Sequence, residues 1–309
     1  MGCMMMRGPV VATFGLAVAL ALTGPARDAV AQGASAPLPP AAPPVFQPVT
    51  ADRIAAALRL DALAEVLAAE VAVSGDPLGS ATRLPAAPDP VADEGWARIV
   101  ARIAPAGRIG RGLRDGVAAE LSALADPADR AALAGALAFW ETPLGRRTLD
   151  LEHSARRALT EPGAETAARA AFDRAAAQGA PRVDQIRRLI EAGDLVEPAV
   201  ASSLNIALAS MQGIRDAGAF DADDADLAAD VWLQEPEIRA EQAGWLEALL
   251  FLATGPLDDA EVEALIVQAE TPGARRLNRI VDAAATAVFA AIAHDLGKAS
   301  AQRLAGQKL

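Results

Sequence analysis

The sequence predicts an all-α protein, a helical bundle formed by two pseudo-repeated halves packed together. Three observations carry this. Apolar residues recur at threes and fours from about residue 50 onward, and no stretch alternates polar with β-branched apolar residues over a strand's length. Glu-Thr-Pro followed by paired arginines occurs twice, as Glu141-Thr142-Pro143-Leu144-Gly145-Arg146-Arg147 and as Glu270-Thr271-Pro272-Gly273-Ala274-Arg275-Arg276. Each copy follows an acidic helix start (Asp126 to Arg130, Asp258 to Glu261) and precedes a long alanine-rich run, as a duplicated helical unit would.

In chain order, residues 1–31 read as an export signal. Arg7 supplies the positive start, Pro9 to Leu22 the apolar run, and Ala29-Val30-Ala31 the small-residue cleavage site. That run is shorter than the roughly 20 residues a spanning helix needs, so no stable membrane span is expected after removal of the signal. Residues 32–49 form a proline- and alanine-rich linker without hydrophobic period. The first helical half is expected over 50–180. Thr50 can cap a helix carrying Ile54, Leu58, Leu63, Val66, Leu67 and Val71, and Ser74 to Pro90 is a proline- and glycine-rich loop. Trp96, Ile99, Val100 and Ile103 begin the next helix, which Pro105 restarts, and Asp126-Pro127 opens the helix leading into the first Glu-Thr-Pro. A helix from about Pro162 to Ala177 and a turn at Gly179-Ala180-Pro181 close this half.

The second half, 181–309, is expected to repeat the order. Ile186, Leu189 and Ile190 match the Ile54 to Leu58 start, and Leu204, Ile206, Leu208 and Met211 continue it. Gly218 to Asp226 is a loop, Trp232 with Pro236 parallels Trp96 with Pro105, and Trp245, Leu249, Leu250 and Leu252 fill the middle. In the last helix Leu277, Ile280, Val281, Ala284, Val288, Ile292 and Leu296 make one apolar stripe.

The repeated motif has a local physical reading as a structural hinge. Proline cannot continue the preceding helix, yet at a first helical position its missing N–H costs nothing. Thr142 and Thr271 can then cap the new helix through the N–H of Gly145 or Ala274, worth about 1 kcal/mol each. Glu141 and Glu270 stand just before Pro143 and Pro272, where the new helix's positive end and Arg146, Arg147, Arg275 and Arg276 can hold a carboxylate.

With these residues in view, Phe139-Trp140-Glu141-Thr142-Pro143-Leu144-Gly145-Arg146-Arg147 resembles the signature of the domain-of-unknown-function 2059 family, exported bacterial helical proteins. The family pattern is an aromatic, Ser or Thr, Pro, a small residue and a basic one. The second copy departs from it, with Gln268-Ala269 for the aromatic pair and Gly273-Ala274 in reversed order. The resemblance implies export and a helical fold, and it carries no catalytic mechanism.

Composition narrows the functional classes. The formal net charge is −12, and an acidic surface is repelled by phosphate backbones and anionic headgroups, which argues against a nucleic-acid partner. The single cysteine, Cys3, lies within the signal, so the mature chain is expected to be free of thiols, disulfides and cysteine-based metal sites. A carboxylate pair of Glu141 with Glu270 lacks the Glu-x-x-His ligands that di-metal bundles use. Asp221 to Asp226 fails the EF-hand pattern, because Asp226 and Trp232 occupy its glycine and glutamate places. His153 and His294 have no nucleophile elbow to serve. The four tryptophans could line a groove, although core packing is their default. No cofactor or metal is therefore expected. The sequence favours a non-enzymatic interaction or structural module of the periplasm, partnered by an envelope protein. The alternative is a small-molecule-binding protein with a cleft between the halves.

Overall fold

The computed structural model describes residues 48–73 and 90–307. The expected signal, all but the end of the linker, and the loop from Ser74 to Asp89 lie outside the described residues. Among those described there is no strand; the chain is all-α. The helices are α1 (Ala51–Ala57), α2 (Leu60–Val73), α3 (Pro90–Ile103), α4 (Ala106–Ala123), α5 (Pro127–Trp140), α6 (Pro143–Leu159) and α7 (Ala164–Ala177). They continue as α8 (Pro181–Gly193), α9 (Val196–Asp216), α10 (Asp224–Trp232), α11 (Glu235–Thr254), α12 (Asp259–Ala269) and α13 (Pro272–Gln307).

Caps explain most of these starts. Thr50, Asp126, Asp223 and Asp258 each accept from a backbone N–H of the first turn, and Asp258 forms a capping box with Glu261. Proline stands in the first turn of α5, α6, α8 and α11.

The opening of each half differs from expectation. The continuous helix expected from Thr50 to Val71 is broken after α1, where Arg59 takes the left-handed conformation at φ 53°. The α8–α9 break repeats this with Asp194 at φ 52°. These are the only non-glycine residues with positive φ among those described. Asp194 ends α8 in a Schellman-like turn, its successor Leu195 donating to Ile190 O at 3.1 Å. The strain costs about 1–2 kcal/mol at each site. In exchange the flanking apolar residues turn inward: Leu58 and Leu60 are 1% and 0% exposed.

Helix α13 is the spine of the bundle, lying along α9, α4 and α5. Its approach to α9 depends on two reciprocal glycines. Gly213 of α9 abuts the backbone of His294, and Gly297 of α13 abuts the backbone of Ser210, so that a methyl group at either place would overlap a carbonyl. Thr286 of α13 donates to Ser202 of α9 at 2.8 Å across the same seam. By length and composition α13 could cross a membrane, but here it carries much of the internal packing.

The parts 50–180 and 181–309 interdigitate. Helix α4 of the first lies against α13 of the second, and α11 of the second lies against α6 and α7 of the first. One core results, in which Ile54, Leu113 and Trp140 join Leu249, Val281 and Phe289. A smaller apolar cluster of Val200, Leu204, Ala207, Val231 and Ile238 sits under α10.

Candidate functional site

The two Glu-Thr-Pro segments are built alike. Thr142 Oγ1 accepts from Gly145 N at 3.1 Å, and Thr271 Oγ1 accepts from Ala274 N at 3.1 Å. Glu141 N donates to Leu137 O and Thr142 N to Phe139 O, while Glu270 N donates to Ile266 O and Thr271 N to Gln268 O. Both glutamates keep right-handed helical angles (φ −80° and −67°), so each pair of helices meets with almost no loop.

The arginines do not hold their own motif's carboxylate as expected. Glu141 is gripped by Arg53 of α1 through bonds of 2.8 and 2.9 Å, which hold its carboxyl below the usual range. Arg146 donates instead to the Glu141 carbonyl oxygen, and Arg275 to Ala192 O at the end of α8 at 3.0 Å. Arg147 reaches Glu261 Oε1 at 2.7 Å and Pro256 O at 2.7 Å. Arg276 reaches Asp129. The last two contacts are reciprocal: Arg147 and Arg276 each stand four residues after the motif proline. Their partners, Glu261 and Asp129, each stand three residues after a capping aspartate of the opposite part. Arginine serves elsewhere as a carbonyl cap too. Arg108 ends α3, Arg130 ends α4 and Arg182 ends α11, each donating to last-turn carbonyls.

A buried ionic cluster, absent from the sequence expectations, joins α2, α6 and α11. Arg156 is 0% exposed; its Nε donates to Glu152 Oε1 and its Nη1 to Glu70 Oε1, both at 3.3 Å. Its guanidinium lies over the Trp245 ring, 4.8 Å from the centroid. Burial raises the pKa of both carboxyls against the pull of Arg156, and Glu70 raises that of Glu152 further. His153 beside them is pushed down to about 4 by burial first, then by Arg156, Arg157 and Arg59. The three ionic groups tie α2 to α6, and the stacking of Arg156 on Trp245 carries the contact on to α11. On α13, Asp282 is raised by burial to about 7.

The other sequence candidates are dispersed. Asp223 caps α10, and Asp224 accepts from Arg215 at 2.6 Å and from Gln212. His294 Nε2 lies 3.0 Å from Asp216, which in turn meets Arg215, a surface network rather than a triad. Trp96, Trp140 and Trp245 are core residues, so the four tryptophans do not line one groove. Trp232 is 63% exposed and its neighbour Leu233 80% exposed, at the elbow between α10 and α11. The expected parallel of Trp232 with Trp96 thus does not extend to environment. In α10 it is Leu227 and Val231, one turn apart, that face inward and leave Trp232 outside.

An open surface depression of about 320 Å³ is lined by Arg187, Ile190, Asp194, Leu195, Val196 and Ala243, among others. It lies within the second half, whereas a cleft between the halves would draw on both. No ionisable member of the Arg156 cluster lines it. Comparison with protein families, curated proteins and solved structures finds no match to this chain.

Proposed function

We propose that the chain is an exported helical module that works by binding a macromolecular partner in the cell envelope, without catalysis. The observation that carries this is the exposed Trp232–Leu233 pair, an indole and an isobutyl group adjacent in sequence and both turned outward. Tryptophan is the residue most enriched at energetic centres of protein interfaces, and its exposure in a free chain costs hydration free energy that a partner would relieve.

The body itself is read as a duplicated helical unit. The matching Thr-Pro caps, the left-handed breaks at Arg59 and Asp194, and the reciprocal Arg147–Glu261 and Arg276–Asp129 pairs support that reading. Export and kinship with the domain-of-unknown-function 2059 family rest on the leader and the Phe139 to Arg147 segment. Native mass spectrometry of the protein purified from its own envelope tests the function. A stoichiometric protein partner is expected. A co-purifying small molecule with no protein would favour ligand binding, and a lone chain would contradict both.

A further inference from the structure

We propose that the depression between α8, α9 and α11 binds a small organic cation, a primary aliphatic amine whose ammonium meets Glu191 and Asp194 while its alkyl chain covers Leu195 and Val196. This assignment stands apart from the partner reading above and does not depend on it.

The break at Asp194 makes the hollow. Its left-handed conformation (φ 52°) ends α8, and only Asp194 and Leu195 separate that helix from α9. Helix α11 packs against both and forms the third wall. The space, about 320 Å³, is near the lower bound of small-molecule sites. Its apolar lining comes from all three walls: Ile190 of α8, Leu195 and Val196 at the start of α9, and Ala243 of α11. Leu195 is buried, while Ile190, Val196 and Ala243 are half-buried and leave apolar surface for an occupant to cover.

Charge selects that occupant. Five charged side chains line the hollow, one arginine and four acids. Arg187 is held by Glu247 at 3.4 Å and lies over the Phe172 ring, and Glu197 is gripped by Arg239 through both carboxylate oxygens. The α9 N-terminus, which alone would favour an anion, carries Glu197 in its own first turn. Glu191 and Asp194 remain, and their carboxylates enter no hydrogen bond or ion pair among the described residues. A carboxylate ligand would therefore meet two like charges, and a neutral chain would gain the apolar contact alone. A bare metal ion has no site, because no three acidic, histidine or cysteine side chains are grouped to hold one among the described residues.

Titration of the full chain with hexylammonium, followed by amide proton–nitrogen NMR, tests the assignment. Hexanol and hexanoate are the neutral and anionic controls, and magnesium is the inorganic one. Saturable shifts at about millimolar amine are expected for the amides of Ile190, Leu195, Val196 and Ala243, weakening as salt rises. Hexanol is expected to bind about five-fold more weakly, and hexanoate and magnesium to give no saturable shift there. E191Q/D194N is expected to weaken amine binding about five-fold with melting nearly unchanged, since both side chains are exposed and asparagine also accepts the left-handed conformation. D194G keeps the break without a side chain and is expected to weaken binding about two-fold. Absence of saturable shifts at these amides, equal binding of hexanol or hexanoate, or binding unchanged in both variants would overturn the site. So would displacement of the amine by an equal concentration of magnesium. An acetyl-Gly-Lys-Gly amide that binds as tightly as hexylammonium would assign the hollow to a partner protein's lysine and overturn the free amine.

Discussion

Asp282, on the spine helix, makes the fold pH-dependent in one direction. Its carboxyl is raised by burial from 3.8 to about 7, so the folded chain binds this proton more tightly than the unfolded chain does. Stability from this group is whole below about pH 4 and is lost as pH climbs towards 7. Asp282→Asn is therefore expected to stabilise the protein at pH 8, by up to about 4 kcal/mol, and to change little near pH 4. Urea melts at the two pH values check this. His153 acts oppositely. Its folded pKa of about 4 lies below the usual 6.5, so its contribution is lost as pH falls from 6.5 to 4. His153→Gln should flatten the acid limb of the stability curve in that window. Arg156 bears on His153 and on the two buried carboxyls, Glu70 and Glu152. Arg156→Met alone would strand two buried carboxyls and should cost about 3–5 kcal/mol, whereas E70Q/E152Q/R156M should recover most of that loss. Equal destabilisation of the single and triple variants would show that packing, not charge, sets the value of the site.

At the scale of elements, the hinges give the most local prediction. Thr142→Ala and Thr271→Ala should each cost about 1 kcal/mol and leave the far-ultraviolet helix signal intact, because the caps satisfy one orphan N–H without setting helix content. The hinges were readable in advance because threonine and proline act on their own backbone. Helix class and the apolar stripe of α13 were readable for the same reason, since periodicity reports a face. The breaks at Arg59 and Asp194 were not. Neither residue is a strong helix breaker, and the bends go with tertiary burial of their neighbours, Leu58 and Leu60 beside Arg59, and Ala192 and Leu195 beside Asp194. The partner of Glu141 was equally hidden, since Arg53 lies 88 residues away in sequence. Nor could the sequence separate Trp232 from the other tryptophans. All sit in helical patterns, and only the packing under α10 decides which side of the helix is wet.

At the scale of the molecule, the body is interlocked rather than assembled from two finished pieces. Helix α4 has its main partner in α13 and α6 has one in α11, so each part lends the other a helix it needs. Arg147–Glu261 and Arg276–Asp129 fasten the exchange from both sides, although such half-exposed pairs add only about 0–1 kcal/mol each. The shared core contributes more, and neither part could close it alone. That arrangement leaves the α10–α11 elbow, with Trp232 and Leu233 exposed, over its own small apolar cluster. Differential scanning calorimetry of the intact chain tests the interlock most directly. A single transition with equal calorimetric and van't Hoff enthalpies is predicted. Two resolved transitions, one belonging to 50–180 and one to 181–309, would contradict it.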